Sequence, residues 1–174
     1  MADNFPVLFI TAFHPSGGGV IGAGEAISGE TVDSLLESGK TVHVLCLAPA
    51  SQSANPDVME CCGSYQVLEQ TRWQSLNGVV TGLGRGSLFA PWLFTRVCRR
   101  NIKAVRTAIE RLAVAEVWLD FPSTLAFAPY LQGRVVNYFV HDVVSQKIAR
   151  SEKPRDTSQT RSTSNTPRSS MVLM

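Results

Sequence analysis

The residues of this sequence that are best suited to chemistry are polar or glycine residues that follow short apolar runs. They are His14, Gly17, Gly18, Gly19, Asp120, His141 and Asp142. Apolar runs of this length predict buried strands, and ligands of open parallel sheets bind outside the carboxyl ends of the strands. We therefore expect these residues to lie along one edge of a sheet and to form a substrate-binding site.

The glycine-rich run at residues 17–24 follows the first apolar run and precedes a helical pattern. The N-terminus of a helix carries free N–H groups and the positive end of the helix dipole, which attract phosphate or carboxylate. Glycine has no Cβ, so a ligand can approach the backbone closely. The run predicts an anion-binding loop; the alternative is a long loop that needs glycine only to turn.

The ionisable residues at the predicted strand ends each have a functional and a structural interpretation. His141 titrates near neutral pH and would serve as a base or as a donor to a sugar or phosphate, or it would only satisfy a loop carbonyl. Asp142 would hold the tautomer of that imidazole or play no part. Asp120 would bind a substrate hydroxyl or cap the following turn, and His14 would contact an anion or be solvated.

Length and composition predict one globular domain at residues 1–150, followed by a disordered Ser/Thr-rich tail at residues 151–174. The chain has 174 residues, of which 44% are hydrophobic and 17% charged, so a core is expected. The net charge of +2 gives no reason to expect a nucleic-acid partner. No apolar run approaches the length of a membrane span, so we expect a cytoplasmic protein that at most contacts a membrane surface.

Two further residue groups limit the function. The cysteine spacing fits no zinc pattern, so we expect reduced structural thiols and no metal site. The basic cluster is expected to form the solvated face of one helix, with a membrane-facing patch as the alternative. The cysteines are Cys46, Cys61, Cys62 and Cys98, and the basic residues are Arg96, Arg99, Arg100, Lys103 and Arg106.

Periodicity predicts an α/β domain with a mostly parallel sheet, in the three-layer arrangement of Rossmann-like folds. The predicted strands are residues 5–12, 41–47, 65–70, 114–119 and 134–140. The predicted helices are residues 26–36, residues 91–112 opened by Pro91, a short helix capped by Ser123 that runs to Leu131, and one starting at Val143. Residues 48–64 and the glycine-containing residues 72–87 are predicted to be loops.

The glycines also match the spacing of a dinucleotide-binding fingerprint, Gly17-x-Gly19-x-x-Gly22. Two features argue against that function. Five residues separate the first strand from Gly17, and the second strand ends in Cys46 rather than in the carboxylate that would bind the ribose. NAD or nucleotide binding therefore remains an alternative hypothesis.

The pattern of strands and strand ends resembles the N-terminal domain of a GT-B glycosyltransferase of the family 4 kind. The resemblance covers residues 5–150. It lies in the first strand with its Pro/Ser/Gly loop, in the second strand Val42-His43-Val44-Leu45, and in the later strand ends Trp118-Leu119-Asp120 and Val140-His141-Asp142.

The resemblance implies transfer of a sugar from a nucleotide-sugar donor to a glycan or lipid-linked acceptor, as in polysaccharide biosynthesis, with no cofactor. By position, Gly18 and Gly19 would lie near the donor phosphates and His141 would face the transferred sugar. The family has a second domain, which this sequence does not contain. We therefore expect a truncated enzyme that is inactive alone, and a non-catalytic fragment or partner subunit is the alternative.

Overall fold

The central sheet has five parallel strands in the part of the chain that the computed structural model describes, residues 5–15, 23–50, 52–84 and 90–139. These residues belong to one unit, Met1–His141. The described strands are β1 (Pro6–Thr11), β2 (Thr41–Cys46), β3 (Ser64–Val67), β4 (Glu116–Asp120) and β5 (Val135–Phe139). Every strand pair is parallel, which confirms the predicted α/β class.

The strand order is β3-β2-β1-β4-β5. From β1 the chain proceeds outward through β2 and β3, and then returns to place β4 on the other side of β1. The direction of winding therefore reverses between β1 and β4, where Phe9 lies opposite Trp118. In sheets of this kind, the crevice outside the carboxyl ends of those two strands is the usual ligand site.

The described helices are α1 (Ala23–Glu37), α2 (Pro56–Cys61), α3 (Arg72–Gly84), α4 (Arg99–Arg111) and α5 (Pro122–Leu125), with 3-10 turns at Pro91–Phe94 and Ala128–Tyr130. Alternate residues of a strand point to opposite faces of the sheet, and the buried apolar residues divide accordingly. Phe9 and Val44 pack with Val32 of α1. Leu8 and Leu45 pack with Val105 of α4 on the other face. Helices on both faces give the predicted three layers.

Two segments that were predicted to be loops are helical. Residues 48–64 contain α2, which begins with a good helix-start signal: the Asn55 side chain accepts a hydrogen bond from the Asp57 amide at 3.0 Å, and Pro56 follows the cap. Residues 72–84 form α3. Glycine weakens an isolated helix, but here it lets α3 pack closely on the 3-10 turn.

The predicted helix from Pro91 to Leu112 is also wrong in detail, because it is interrupted. Pro91–Phe94 form a 3-10 turn, and α4 begins only at Arg99, after an extended Cys98. Val97, between the two, is fully buried. The expected Ser123 cap is replaced by Phe121, whose backbone precedes α5 and whose side chain makes no capping bond. The predicted tail and the predicted helix after Val143 lie outside the described residues.

At the amino edge of the sheet, Glu116 joins three strands. Its carboxylate accepts hydrogen bonds from Lys40 Nζ at 2.7 and 2.9 Å, Trp118 Nε1 at 2.7 Å and Asn137 Nδ2 at 2.9 Å. Burial alone would raise the pKa of Glu116, but these donors and the Lys40 charge outweigh it, so the pKa lies below its usual value. The carboxylate thus links the start of β2 to β4 and β5.

We expect Glu116→Gln to lower the free energy of unfolding by about 1 kcal/mol at pH 7. A folded pKa below the unfolded one contributes stability that is present above the unfolded value, about 4.3, and is lost as the pH falls through the folded value. The difference between wild type and variant should therefore shrink between about pH 5 and pH 3. Urea titrations across this range measure it. A difference in stability that does not change with pH would contradict this role of the Glu116 carboxylate. So would an equal loss of stability in Glu60→Gln, on the exposed side of α2.

Candidate functional site

The candidate site lies at the carboxyl edge of the sheet, around the ends of β1 and β4. Residues 12–15 follow β1, and Phe121 follows β4. The aromatic rings of Phe13 and Phe121 meet edge to face, with centroids 4.8 Å apart. The segments that follow β1 and β4 are therefore in contact, at the position where the winding direction of the chain reverses.

Asp120 is the fully buried carboxylate that holds this edge together. Its Oδ2 accepts a hydrogen bond from Thr11 Oγ1 at 2.8 Å and from Ser28 Oγ at 2.7 Å. Its backbone oxygen accepts one from the Thr124 hydroxyl at 2.7 Å. The side chain thus binds hydroxyl groups of β1 and α1, and its predicted contact with a substrate hydroxyl stays a prediction.

Phe121 adopts a backbone conformation that is rare for any residue other than glycine, with φ 72° and ψ 147°. Such conformations cost about 1–3 kcal/mol and concentrate at functional sites. The conformation directs the phenyl ring onto Gly24, where a Cβ would lie 2.7 Å from Phe121 Cζ. Gly24 therefore allows the strained residue to pack against the start of α1.

His14 is buried in a cluster with Tyr65 and Cys46. Its Nδ1 lies 2.9 Å from the Tyr65 hydroxyl and 3.6 Å from Cys46 Sγ, and the two rings are nearly parallel. Burial lowers the pKa of His14, and a hydrogen bond to the Gln52 backbone opposes this only in part. The imidazole is thus neutral at pH 7, and its contacts fix the loop after β1 against β2 and β3.

The other two members of this cluster are also neutral. Burial raises the pKa of Cys46 to about 12, and burial likewise raises the pKa of Tyr65. A thiol must lose its proton to act as a nucleophile or metal ligand. The cluster therefore suits a positioning role, in agreement with the structural role predicted for the cysteines.

Arg96 is the functional candidate that the sequence analysis placed wrongly. It precedes α4 instead of lying on its solvated face, and its guanidinium is 5.9 Å from the centroid of the Phe13 ring. Burial lowers the pKa of Arg96. Its Nε is buried and has no hydrogen-bond partner among the described residues. A half-buried cation therefore lies at the carboxyl edge without a carboxylate partner in the described chain.

Gln70 is a second polar side chain at this edge with unused hydrogen-bonding groups. It follows β3, its backbone amide donates to the Ala48 carbonyl at 2.9 Å, and it pairs with Pro49 in a parallel bridge. Only 8% of its surface is exposed, yet neither amide atom has a partner in the described part of the chain. Buried polar groups in native proteins are nearly always paired, so Gln70 is an exception among the described residues.

The structure brings together some of the predicted site residues. His14 and Asp120 both lie at the carboxyl edge, as expected from strand ends of one parallel sheet. Gly17, Gly18, Gly19, His141 and Asp142 lie outside the described residues, so their predicted roles stay predictions. Among the residues described, no group of three potential ligands could hold a metal ion, and no helix is long and apolar enough to cross a membrane.

Comparisons of this chain with family models, with curated proteins and with solved structures find no match.

Proposed function

We propose that this chain is the acceptor-side domain of a GT-B sugar transferase, and that its carboxyl edge binds the phosphate-bearing part of a sugar substrate. The proposal is supported by the sequence resemblance and by the parallel sheet with its reversal between β1 and β4. Arg96 is the observation that carries it, because a cation at this edge supplies what a phosphate group requires.

The physical argument starts from the cost of an unpaired, half-buried charge. Arginine stays protonated in proteins, so Arg96 cannot relieve this cost by losing its proton. Its planar guanidinium offers donors that match a phosphate or carboxylate in a two-point contact. With no anionic partner for it among the described residues, a phosphate on the ligand would compensate the charge.

The surrounding residues would act by positioning. Asp120 holds the ends of β1 and β4 together, and the His14–Tyr65 contact fixes the loop that carries Phe13. Phe13 in turn packs under the Arg96 guanidinium. Burial raises the pKa of the Cys46 thiol and of the Tyr65 hydroxyl, so neither is a nucleophile at neutral pH, and the base of a transfer reaction is proposed to be His141, as the resemblance implies.

The test is the binding of uridine diphosphate glucose, measured by isothermal titration calorimetry on the full chain. Arg96→Gln should weaken binding at least tenfold, roughly the loss of one charged hydrogen bond to a phosphate. Arg134→Gln, which removes an equal charge from an exposed position, should leave binding unchanged. Equal affinities of wild type and Arg96→Gln would show that this guanidinium does not hold the substrate.

The neutral state of the His14 cluster favours one second candidate, a non-catalytic subunit that binds a sugar nucleotide for another chain. Both candidates predict binding without turnover by this chain alone, so steady release of nucleoside diphosphate by the isolated chain would contradict both. NAD binding is disfavoured because Cys46, at the end of β2, is buried and neutral where a carboxylate would bind the ribose. NAD should be titrated in the same experiment. Tighter binding of NAD than of the sugar nucleotide would favour the NAD-binding function instead.

A further inference from the structure

Helix α3 exposes an apolar stripe to solvent. The stripe consists of Trp73, Leu76, Val80 and Leu83, and Trp73 is 80% exposed. These residues recur at intervals of three and four positions, so they lie along one side of the helix. Contiguous exposed apolar residues of this kind usually mark a surface for interaction.

The other two sides of α3 already have partners. Gly78 and Gly82 are buried against Phe94 of the 3-10 turn. The polar side of α3 lines a cavity of about 630 Å³ that it shares with the beginning of α4. The cavity is lined by Gln74, Asn77 and Thr81 of α3 and by Cys98, Arg99 and Arg100, among others. The apolar stripe is the side of α3 that faces outward.

The charge of the chain is strongly segregated around this helix. Residues 70–109, which contain α3 and most of α4, hold six arginines and one lysine but no Asp or Glu, a net charge of +7. Residues 1–69 hold eight acidic residues and one lysine, a net charge of −7. Arg99 and Arg100 are exposed, and no salt bridge involves them in the described chain. The apolar stripe thus lies in the basic part of the molecule.

We propose that α3 docks this protein onto an anionic lipid surface. The stripe enters the interface between headgroups and acyl chains, and Arg99 and Arg100 contact the lipid phosphates. The apolar side chains come from α3 and the basic ones from the start of α4, and exposed Trp and Leu next to arginines favour the interface of an anionic membrane. The proposal does not depend on sugar transfer.

Shape and charge favour a membrane over a protein partner. A helix is a convex ridge, which a fluid surface accommodates without a matching groove. Four partly exposed side chains fall short of the roughly 800 Å² per partner of a stable protein interface. Two copies meeting through α3 would also bring their arginines together. The acidic helix α1 lies on the opposite face of the sheet from α4, so repulsion would orient the basic face toward anionic lipid.

The experiment is flotation of the full chain with vesicles of phosphatidylcholine alone or mixed with phosphatidylglycerol. We expect binding to the anionic vesicles only, and its loss at about 0.5 M NaCl. W73Q/V80Q should lower the partition coefficient at least tenfold, as should R99Q/R100Q. The matched controls are L125Q/V135Q, which removes exposed apolar side chains elsewhere, and R111Q/R134Q, which removes two arginines outside residues 70–109.

Two readouts separate docking from a change in folding or assembly. Trp73 fluorescence should shift to the blue on anionic vesicles, and W73F should lose that shift while still binding. Thermal unfolding should be the same in all variants, because the substituted side chains are exposed. Equal binding to neutral and anionic vesicles would overturn the proposal. So would control variants that bind the vesicles as weakly as the test variants, or an oligomer that shields Trp73 in the absence of lipid.

Discussion

Asp120→Ala is expected to lower the free energy of unfolding by about 3 kcal/mol, because it removes the charged acceptor of two buried hydroxyl groups. Thr11 and Ser28 are both fully buried, and both donate to Oδ2 of this carboxylate. A hydrogen bond to a charged group contributes about 1.5–3 kcal/mol, and the lost side chain also leaves a void. The two hydroxyls can turn toward the backbone carbonyls of Phe13 and Gly24, which limits the loss.

Urea unfolding at pH 7 measures this loss of stability, and two further variants show whether it comes from the carboxylate. Asp120→Asn keeps the shape and one acceptor oxygen, so it should lose roughly half as much. Glu110→Ala removes an exposed acid from α4 and should change stability by less than about 0.5 kcal/mol. If Asp120→Ala resembled the Glu110 control, the carboxylate would not be what joins β1, β4 and α1.

The two central strands were predictable because they are short and apolar enough to be recognised without their neighbours. Residues 5–12 and 41–47 were predicted as strands and are observed at Pro6–Thr11 and Thr41–Cys46. Both are buried on two faces, so they lack the alternation of half-exposed strands and appear as continuous apolar runs. The strand between α4 and α5 was found within two residues, although Glu116 and Trp118 are partly exposed and alternate with the buried Val117 and Leu119.

The candidate site was only partly predictable, since its contacts join residues far apart in sequence. The position of Asp120 after an apolar run indicated the carboxyl edge. Its partners, however, are 92 and 109 residues away, and the Tyr65 partner of His14 is 51 residues away. No local pattern encodes such pairs. Arg96 was missed because five basic residues at near-helical spacing favour one helix, whereas burial of Val97 interrupts it.

Gly78→Ala should test whether close packing on the 3-10 turn explains why α3 is helical although its glycines predicted a loop. Four glycines in residues 72–87 predicted a loop because glycine disfavours helices by about 0.5–1 kcal/mol per residue. In the structure a Cβ at Gly78 would overlap the backbone carbonyl oxygen of Phe94, and one at Gly82 would lie 2.6 Å from the Phe94 ring. The glycines are therefore what allows α3 to approach the 3-10 turn, and tertiary packing overrides the local preference.

We expect Gly78→Ala to destabilise the protein by about 2 kcal/mol, because overpacking against a backbone atom exceeds the gain in helix propensity. Gly84→Ala is the matched control: nothing lies within 4 Å of its Cβ position, so the same substitution should be neutral or stabilising by a few tenths of a kcal/mol. Urea unfolding gives the global effect, and amide hydrogen exchange within α3 reports local release. Equal stability and equal amide protection of Gly78→Ala and Gly84→Ala would show that close packing on Phe94 does not hold α3. The apolar stripe on α3 would then have no fixed orientation.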